Sequence, residues 1–325
     1  MKICIFGCTG YLGSELSYYL NNKGHQVVGV CRKFPKKEIR FKKNFVKVYE
    51  GDIKSQIFLK KVFSSKPQVI IYLISLNHFE SERNFDYSIK INCLPVIKIL
   101  DFIRDNNFKI KFIYFSTMQV YGDYSNKKLI TENTNKNPNN AYALTHSICE
   151  DYLLMMNKHK NFDSICIRLS NGYGFPRLKT CDCWWLVLND FCLNSSKNST
   201  ISLSSDGSPL RDFIHLADIS KTINHLIKAK NTPSLINLAS GKTVSMLELA
   251  KYVVDVNSKL KNNVNIYIKG KLISKKTLAK KISMNRTRKK FKFSTKLLDD
   301  LNIKNEFDLY SGIENTIEKM KKINI

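Results

Sequence analysis

Three glycines spaced three residues apart, Gly7, Gly10 and Gly13, constrain this chain more tightly than any other feature. They come after residues 3–6 (ICIF), an apolar run too short for a helix and suited to a buried parallel strand. They lead into a helical pattern over residues 11–20. A strand that breaks on glycines and reopens as a helix makes a phosphate cradle. Glycine permits the tight turn and a close backbone approach, and the helix start offers free N–H groups and partial positive charge. The spacing is G-x-x-G-x-x-G rather than G-x-G-x-x-G, and an ordinary glycine-rich turn is the competing reading. Its place between an N-terminal strand and a helix favours a dinucleotide site, with Gly7, Thr9, Gly10, Tyr11, Leu12 and Gly13 as the expected cofactor-binding set.

Strands and helices then alternate, which implies a doubly wound, mostly parallel α/β sheet. Residues 25–30 (HQVVGV) read as the second strand, and the next position bears on cofactor choice. An acidic side chain there would accept hydrogen bonds from the adenosine ribose, but here Cys31 is followed by Arg32 and Lys33. Without that carboxylate a 2′-phosphate is not repelled, and the planar fork of Arg32 can grip one. The pattern therefore favours NADP(H), with NAD as the alternative. Residues 45–49 form a third strand ending at Gly51, Asp52 and Ile53, where Asp52 is placed to accept from an adenine amino group and Ile53 to line the site. Residues 69–75 are apolar enough for a strand buried on both faces. Residues 88–106 read as a helix with more than one apolar face and a kink at Pro95. A fifth strand, residues 109–117 (KIKFIYFST), delivers Ser116 and Thr117 to the carboxyl edge, where open α/β sheets bind their ligands.

Beyond that edge the chain resembles a known family. Thr117 precedes Val120-Tyr121-Gly122, and Tyr142 opens the next helix within NAYALTHSICE, as in the extended short-chain dehydrogenases/reductases that epimerise, dehydrate or reduce nucleotide-sugars. The likeness continues through RLSNGYGFP (168–176), GSPLRDFIHLAD (207–218), INLASGKTVSML (236–247) and two late helices within residues 293–320. It implies a Rossmann domain of residues 1–170 plus 211–240, and a smaller substrate domain of residues 171–210 plus 241–325. It further implies Thr117 and Tyr142 in catalysis, Asn171 against the sugar-nucleotide and Arg211 on the substrate diphosphate. In relatives the helices at 88–106 and 141–158 pair with their copies, so a homodimer is expected.

Two departures from the family prune the reaction. The family places a Lys four residues after the Tyr, where it holds the cofactor and lowers the phenol's pKa. Here His146 takes both the catalytic and the cofactor-binding position, and an ordinary His is mostly neutral at pH 7. The residues after the Thr are acidic in 4,6-dehydratases, and the second is a proton-exchanging Cys in 3,5-epimerising relatives. Met118 and Gln119 exchange no protons, so simple redox chemistry at one carbon remains: 4-keto reduction, or 4-epimerisation through a transient ketone. The NADP(H) reading favours the reductase. The alternatives are a 4-epimerase with tightly held NAD, or a cofactor-binding chain whose catalysis is impaired at His146.

Composition bears on partners and setting. The formal charge of +26 raises nucleic-acid binding, but the lysines are spread along the whole chain and even the densest run, residues 275–292, carries no nucleic-acid motif. A small, doubly anionic substrate is expected instead. No C-x-x-C spacing joins the nine cysteines, so no metal is expected, and Cys181 and Cys183 read as packing residues. With no membrane-length apolar stretch and no signal-like N-terminus, the expectation is a cytoplasmic protein.

Overall fold

A computed structural model describes residues 1–123, 127–159, 162–285 and 290–322. Residues 286–289, the centre of the densest basic run, lie outside that set. Seven parallel strands form the main sheet: β1 (Lys2–Phe6), β2 (Gln26–Cys31), β3 (Lys47–Glu50), β4 (Val69–Tyr72), β5 (Lys111–Thr117), β6 (Asp163–Leu169) and β7 (Leu235–Leu238). Their spatial order is β7-β6-β5-β4-β1-β2-β3. The chain winds outward from β1 to β3, then crosses back to β4 on the other side. The order reverses between β1 and β4, and the crevice outside their carboxyl ends is where such sheets receive ligands.

Alternation along the strands makes two cores. Ile3 and Ile5 face the helices Tyr11–Asn22 and Leu216–Lys228, while Cys4 and Phe6 face the helices Gln56–Phe63, Leu94–Asp105 and Ala141–Met156. A third core lies among the helices Val187–Lys197, Met246–Lys259 and Leu309–Lys322 and the strands Thr200–Leu203 and Asn265–Ile268. All nine cysteines are buried free thiols. Among the described residues no group of His, Cys, Asp and Glu could hold a metal ion, and no helix is long and apolar enough to cross a membrane.

Several elements differ in extent from the sequence reading. β4 stops at Tyr72, because the chain leaves the sheet there to run along the ligand edge through Ser75. The helix expected over residues 88–106 is an α-turn (Phe85–Ser88), a π segment (Ile89–Cys93) and the helix Leu94–Asp105. The expected distortion at Pro95 takes the form of that wide turn. Pro95 has no N–H to give the carbonyl four residues back and its ring crowds that turn, so the backbone widens and Leu94 N bonds Ile89 O instead.

Candidate active site

The glycine turn is built as its spacing demands. Gly7 adopts φ +87°, a conformation glycine reaches without strain, and Gly10 N donates to Gly7 O at 3.0 Å. A Cβ on Gly13 would lie 2.0 Å from that same carbonyl oxygen, so the helix Tyr11–Asn22 seats this close only because Gly13 has no side chain. Gly10 caps the helix without a side-chain acceptor, leaving its first N–H groups open to an anion. Around the turn, Thr9 O accepts from Cys181 Sγ at 3.6 Å and Leu12 packs on the first core. Tyr11 Oη donates to Gly174 O at 2.6 Å and accepts from Asn189 Nδ2 at 2.9 Å, which ties the helix start to the 174–189 segment. Cys181 and Cys183 are buried in a small apolar cluster beside it, as packing residues.

The end of β2 lies against this turn, since Gly7 N and Cys8 N both donate to Val30 O. Cys31 is buried and its thiol is hydrogen-bonded with that of Cys8, which lowers the Cys31 pKa. Arg32 and Lys33 emerge from the strand end into solvent. The carboxylate paired across from Cys31 belongs to Glu50, and it is occupied by Phe34 N at 3.0 Å and Lys42 Nζ at 2.9 Å. Further along, Asp52 is exposed and accepts from Lys54 N at 2.9 Å, while Ile53 packs on the second core.

The catalytic candidates gather at the carboxyl end of β5. Thr117 is its last residue, and its Oγ1 accepts from Gln119 N at 3.2 Å to start the 3₁₀ turn Met118–Tyr121. Asn140 opens the helix Ala141–Met156 by accepting from Ala143 N at 2.8 Å, and its Nδ2 donates to Gln119 Oε1 at 3.2 Å. Tyr142 is the second residue of that helix and His146 lies one turn on, so the two rings meet at 4.5 Å between centroids. Among the described residues no hydrogen bond joins the Tyr142 hydroxyl to Thr117 or to any other group. Burial pushes the Tyr142 phenol up to about 12. The same effect pushes His146 down to about 4, so both side chains are neutral at pH 7.

His146 is only 3% exposed, and both ring nitrogens have partners that sequence reasoning missed. Nδ1 lies 2.8 Å from Tyr114 Oη, and Nε2 lies 3.3 Å from Ser75 Oγ. Tyr114 reads in sequence as one more apolar strand residue, and Ser75 as a strand terminus. A polar tip at alternate positions of a buried strand was the available signal. Glu150 was also missed. Fully buried on the same helix, it accepts from Ser116 Oγ at 2.5 Å and from Arg168 at 2.7 Å, locking the helix to β5 and β6.

The expected substrate residues lie on the next small sheet. Asn171 opens the strand Asn171–Tyr173 and donates through Nδ2 to Asp212 O at 2.8 Å. Buried Asp212 accepts from Ser170 Oγ, Ser240 N, Ser240 Oγ and Lys242 N at 2.8–3.0 Å, which fixes the strand Leu210–His215. Arg211, its neighbour, stays exposed.

Comparison with known proteins gives the family and the fold. The pattern of the NAD dependent epimerase/dehydratase family matches residues 3–239. A Methanocaldococcus jannaschii protein that carries the provisional name UDP-glucose 4-epimerase is 25% identical over 327 residues, covering 99% of both chains. The dTDP-D-glucose 4,6-dehydratase of Dictyostelium discoideum is also 25% identical, over 79% of this chain and 62% of its own length. Among solved structures, the Thermotoga maritima UDP-glucose 4-epimerase with UDP-glucose superposes at a TM-score of 0.82, with 21% identity and full coverage of both chains. At that identity the likeness shows the fold alone.

Proposed function

The chain belongs to the NAD dependent epimerase/dehydratase family, and from that premise we propose that it is a nucleotide-sugar oxidoreductase working in the reductive direction, as a 4-keto reductase. The observation that carries the reading is the buried histidine one turn after Tyr142, in ring contact with it at 4.5 Å where the family has a Lys. A phenol held at about 12 is a proton donor at neutral pH and a poor base, and a histidine held at about 4 supplies no charge to change that. Reduction of a ketone needs only the donor. An epimerase must run both directions in every cycle, and dehydration needs the acid–base pair that Met118 and Gln119 do not provide.

The residues at the β1–β4 crevice fit a nicotinamide dinucleotide. Gly13 lets the helix seat against the Gly7 carbonyl, the first N–H groups of that helix have no side-chain cap and are open to a diphosphate, and Arg32 and Lys33 are exposed at the end of β2, where they could meet an adenosine 2′-phosphate. With Glu50 occupied elsewhere, we assign NADP(H) as the cofactor. The bound cofactor supplies the hydride. For its part the chain binds the sugar-nucleotide with Asn171 and Arg211, and orients the carbonyl oxygen between the hydroxyls of Thr117 and Tyr142. The Tyr142 hydroxyl then gives its proton to the developing alkoxide. We further propose that residues 171–210 and 241–325 receive the nucleotide-sugar. Leu144, Ile148 and Met155, apolar yet exposed on one helix, mark the face that pairs with a second copy.

Replacing Tyr142 by Phe should lower turnover about 10²–10⁴-fold, the contribution of a positioned acid. Turnover is monitored as nicotinamide oxidation with 4-keto nucleotide-sugars, after thermal-shift screening of GDP, UDP, CDP and dTDP has picked the nucleotide. Unchanged turnover in Tyr142→Phe would sink the assignment. A second reading, a 4-epimerase with tightly held NAD, draws on the names of the relatives. Purified protein that retains NAD and interconverts two sugars without net cofactor consumption would establish it instead.

A further inference from the structure

The hydrogen bonds around His146 carry more information than its burial. Ser75 Oγ has one proton, and it lies 2.8 Å from Leu76 O but 3.3 Å from His146 Nε2. A carbonyl oxygen can only accept, so the serine proton belongs to the shorter contact, and Ser75 Oγ is left as an acceptor toward the ring. A neutral imidazole carries one N–H, and here that places it on Nε2. Nδ1 then holds a lone pair, directed at Tyr114 Oη 2.8 Å away, and the phenol must be the donor. The chain of donors therefore runs Tyr114 O–H to Nδ1, Nε2–H to Ser75 Oγ, Ser75 O–H to Leu76 O. Burial holds Tyr114 as a neutral phenol with a proton to give; Cys149 Sγ beside it is a second acceptor, but thiol sulfur accepts weakly, and the imidazole nitrogen at 2.8 Å is the better partner.

We propose that Tyr114, acting with the acceptor Ser75 Oγ, is the positioning residue that fixes His146 as the Nε2–H tautomer, so that a neutral ring carries a single N–H at the ligand edge, directed at Ser75 Oγ in the ligand-free protein. In the absence of a Lys, that N–H is the group left to hold a hydroxyl of the bound cofactor, which would replace Ser75 Oγ as its acceptor. The role of the donor rests on the active-site reading above, whereas the tautomer itself is a property of the ligand-free protein.

The test is long-range proton–nitrogen spectroscopy on ligand-free protein labelled with ¹⁵N-histidine, with the His146 signals identified among the six histidines by their absence in His146→Gln. Wild type should show a protonated Nε2 and a bare Nδ1. Tyr114→Phe keeps the aromatic contact with Tyr72 but removes the donor, and should give a mixture of tautomers or the Nδ1–H form. A wild-type ring protonated on Nδ1, or a tautomer unmoved by Tyr114→Phe, overturns the proposal. Cofactor affinity provides the second measurement. Tyr114→Phe should weaken nicotinamide dinucleotide binding about two- to twelvefold, the loss of one hydrogen bond, and should have no effect when His146 is already replaced by Lys. Equal weakening in both backgrounds would make Tyr114 a packing residue and refute the positioning role. Should Tyr142→Phe leave turnover unchanged while the tautomer behaves as stated, the catalytic reading fails alone.

Discussion

If the site reduces as proposed, replacing His146 by Lys should let it also oxidise, and the size of the effect can be worked out. In the native protein Tyr142 sits near 12, so at pH 7 about one phenol in 10⁵ is ionised. Oxidation of a sugar alcohol requires that ionised form as base. Its kcat/KM should therefore climb about tenfold per pH unit from pH 6 to 9, while reduction stays flat. Burial lowers His146, and it would lower a lysine amine in the same place, but a lysine starts at about 10.4 and so can keep its charge at pH 7. At about 5 Å from the phenol oxygen an ammonium would contribute about 3 kcal/mol at an effective dielectric near 20. That corresponds to about two pKa units, so the oxidative pH profile should move two units toward acid and the rate at pH 7 rise on the order of 10²-fold. The assay is initial-rate nicotinamide reduction with a nucleotide-sugar alcohol at saturating cofactor, read across pH 6–10 for both proteins. A wild-type oxidative rate independent of pH over that range would refute the reasoning, because Tyr142 would then not be the titrating base.

Single positions and buried groups set three further outcomes. Arg32→Ala should remove most of the preference for NADP(H) over NAD(H), about 1.5–3 kcal/mol in relative binding by calorimetry; unchanged affinities would release Arg32 from the 2′-phosphate. Gly13→Ala should abolish cofactor binding or unfold the turn, since its Cβ would overlap Gly7 O at 2.0 Å; a thermal shift by cofactor equal to wild type would contradict that geometry. Stability should fall as pH drops below 6.5. Burial holds His146 at about 4 and His215 at about 3, so the unfolded chain takes up their protons first, and the stability present above 6.5 is lost toward the folded values. The loss is about 1.4 kcal/mol per pH unit for each histidine. Asp212 and Asp218 oppose it, because burial raises their pKa and the folded protein protonates them first. Urea melts at pH 7 and pH 5 measure the net slope.

The parts of this fold that sequence revealed are those with a period or a forced backbone. The glycine turn was legible because only glycine tolerates Gly7's φ and Gly13's contact, and the apolar strands because burial on both faces leaves no polar alternation. The positions of Thr117 and Tyr142 were legible through motif spacing. What stayed hidden depends on contacts between distant segments. Ser75 and Tyr114 lie 71 and 32 residues from His146, and although a polar tip on a buried strand hints at a partner, nothing local to them says that the partner is an imidazole. The π segment before Pro95 was foreseen only as a kink, because the chain's way of rehousing a lost hydrogen bond is settled by packing rather than by the proline itself.

The departures from the family are themselves supported by surrounding structure, and this bears on whether the site works. Some buried polar atoms of this protein have no hydrogen-bond partner, Tyr72 Oη and His215 Nε2 among them. His146 is not in that condition: both ring nitrogens are matched, one by a strand residue and one by the loop leaving β4. Gln119, standing where a dehydratase carries an acid, accepts from the Asn140 side chain that caps the catalytic helix. Each replacement forfeits one chemistry, a cationic helper in the first case and an eliminating acid in the second. Each also fastens the element that carries Tyr142. A proton donor with no cation at the position of the family's Lys, on a helix fastened to β5 and β6, suits the proposed reduction.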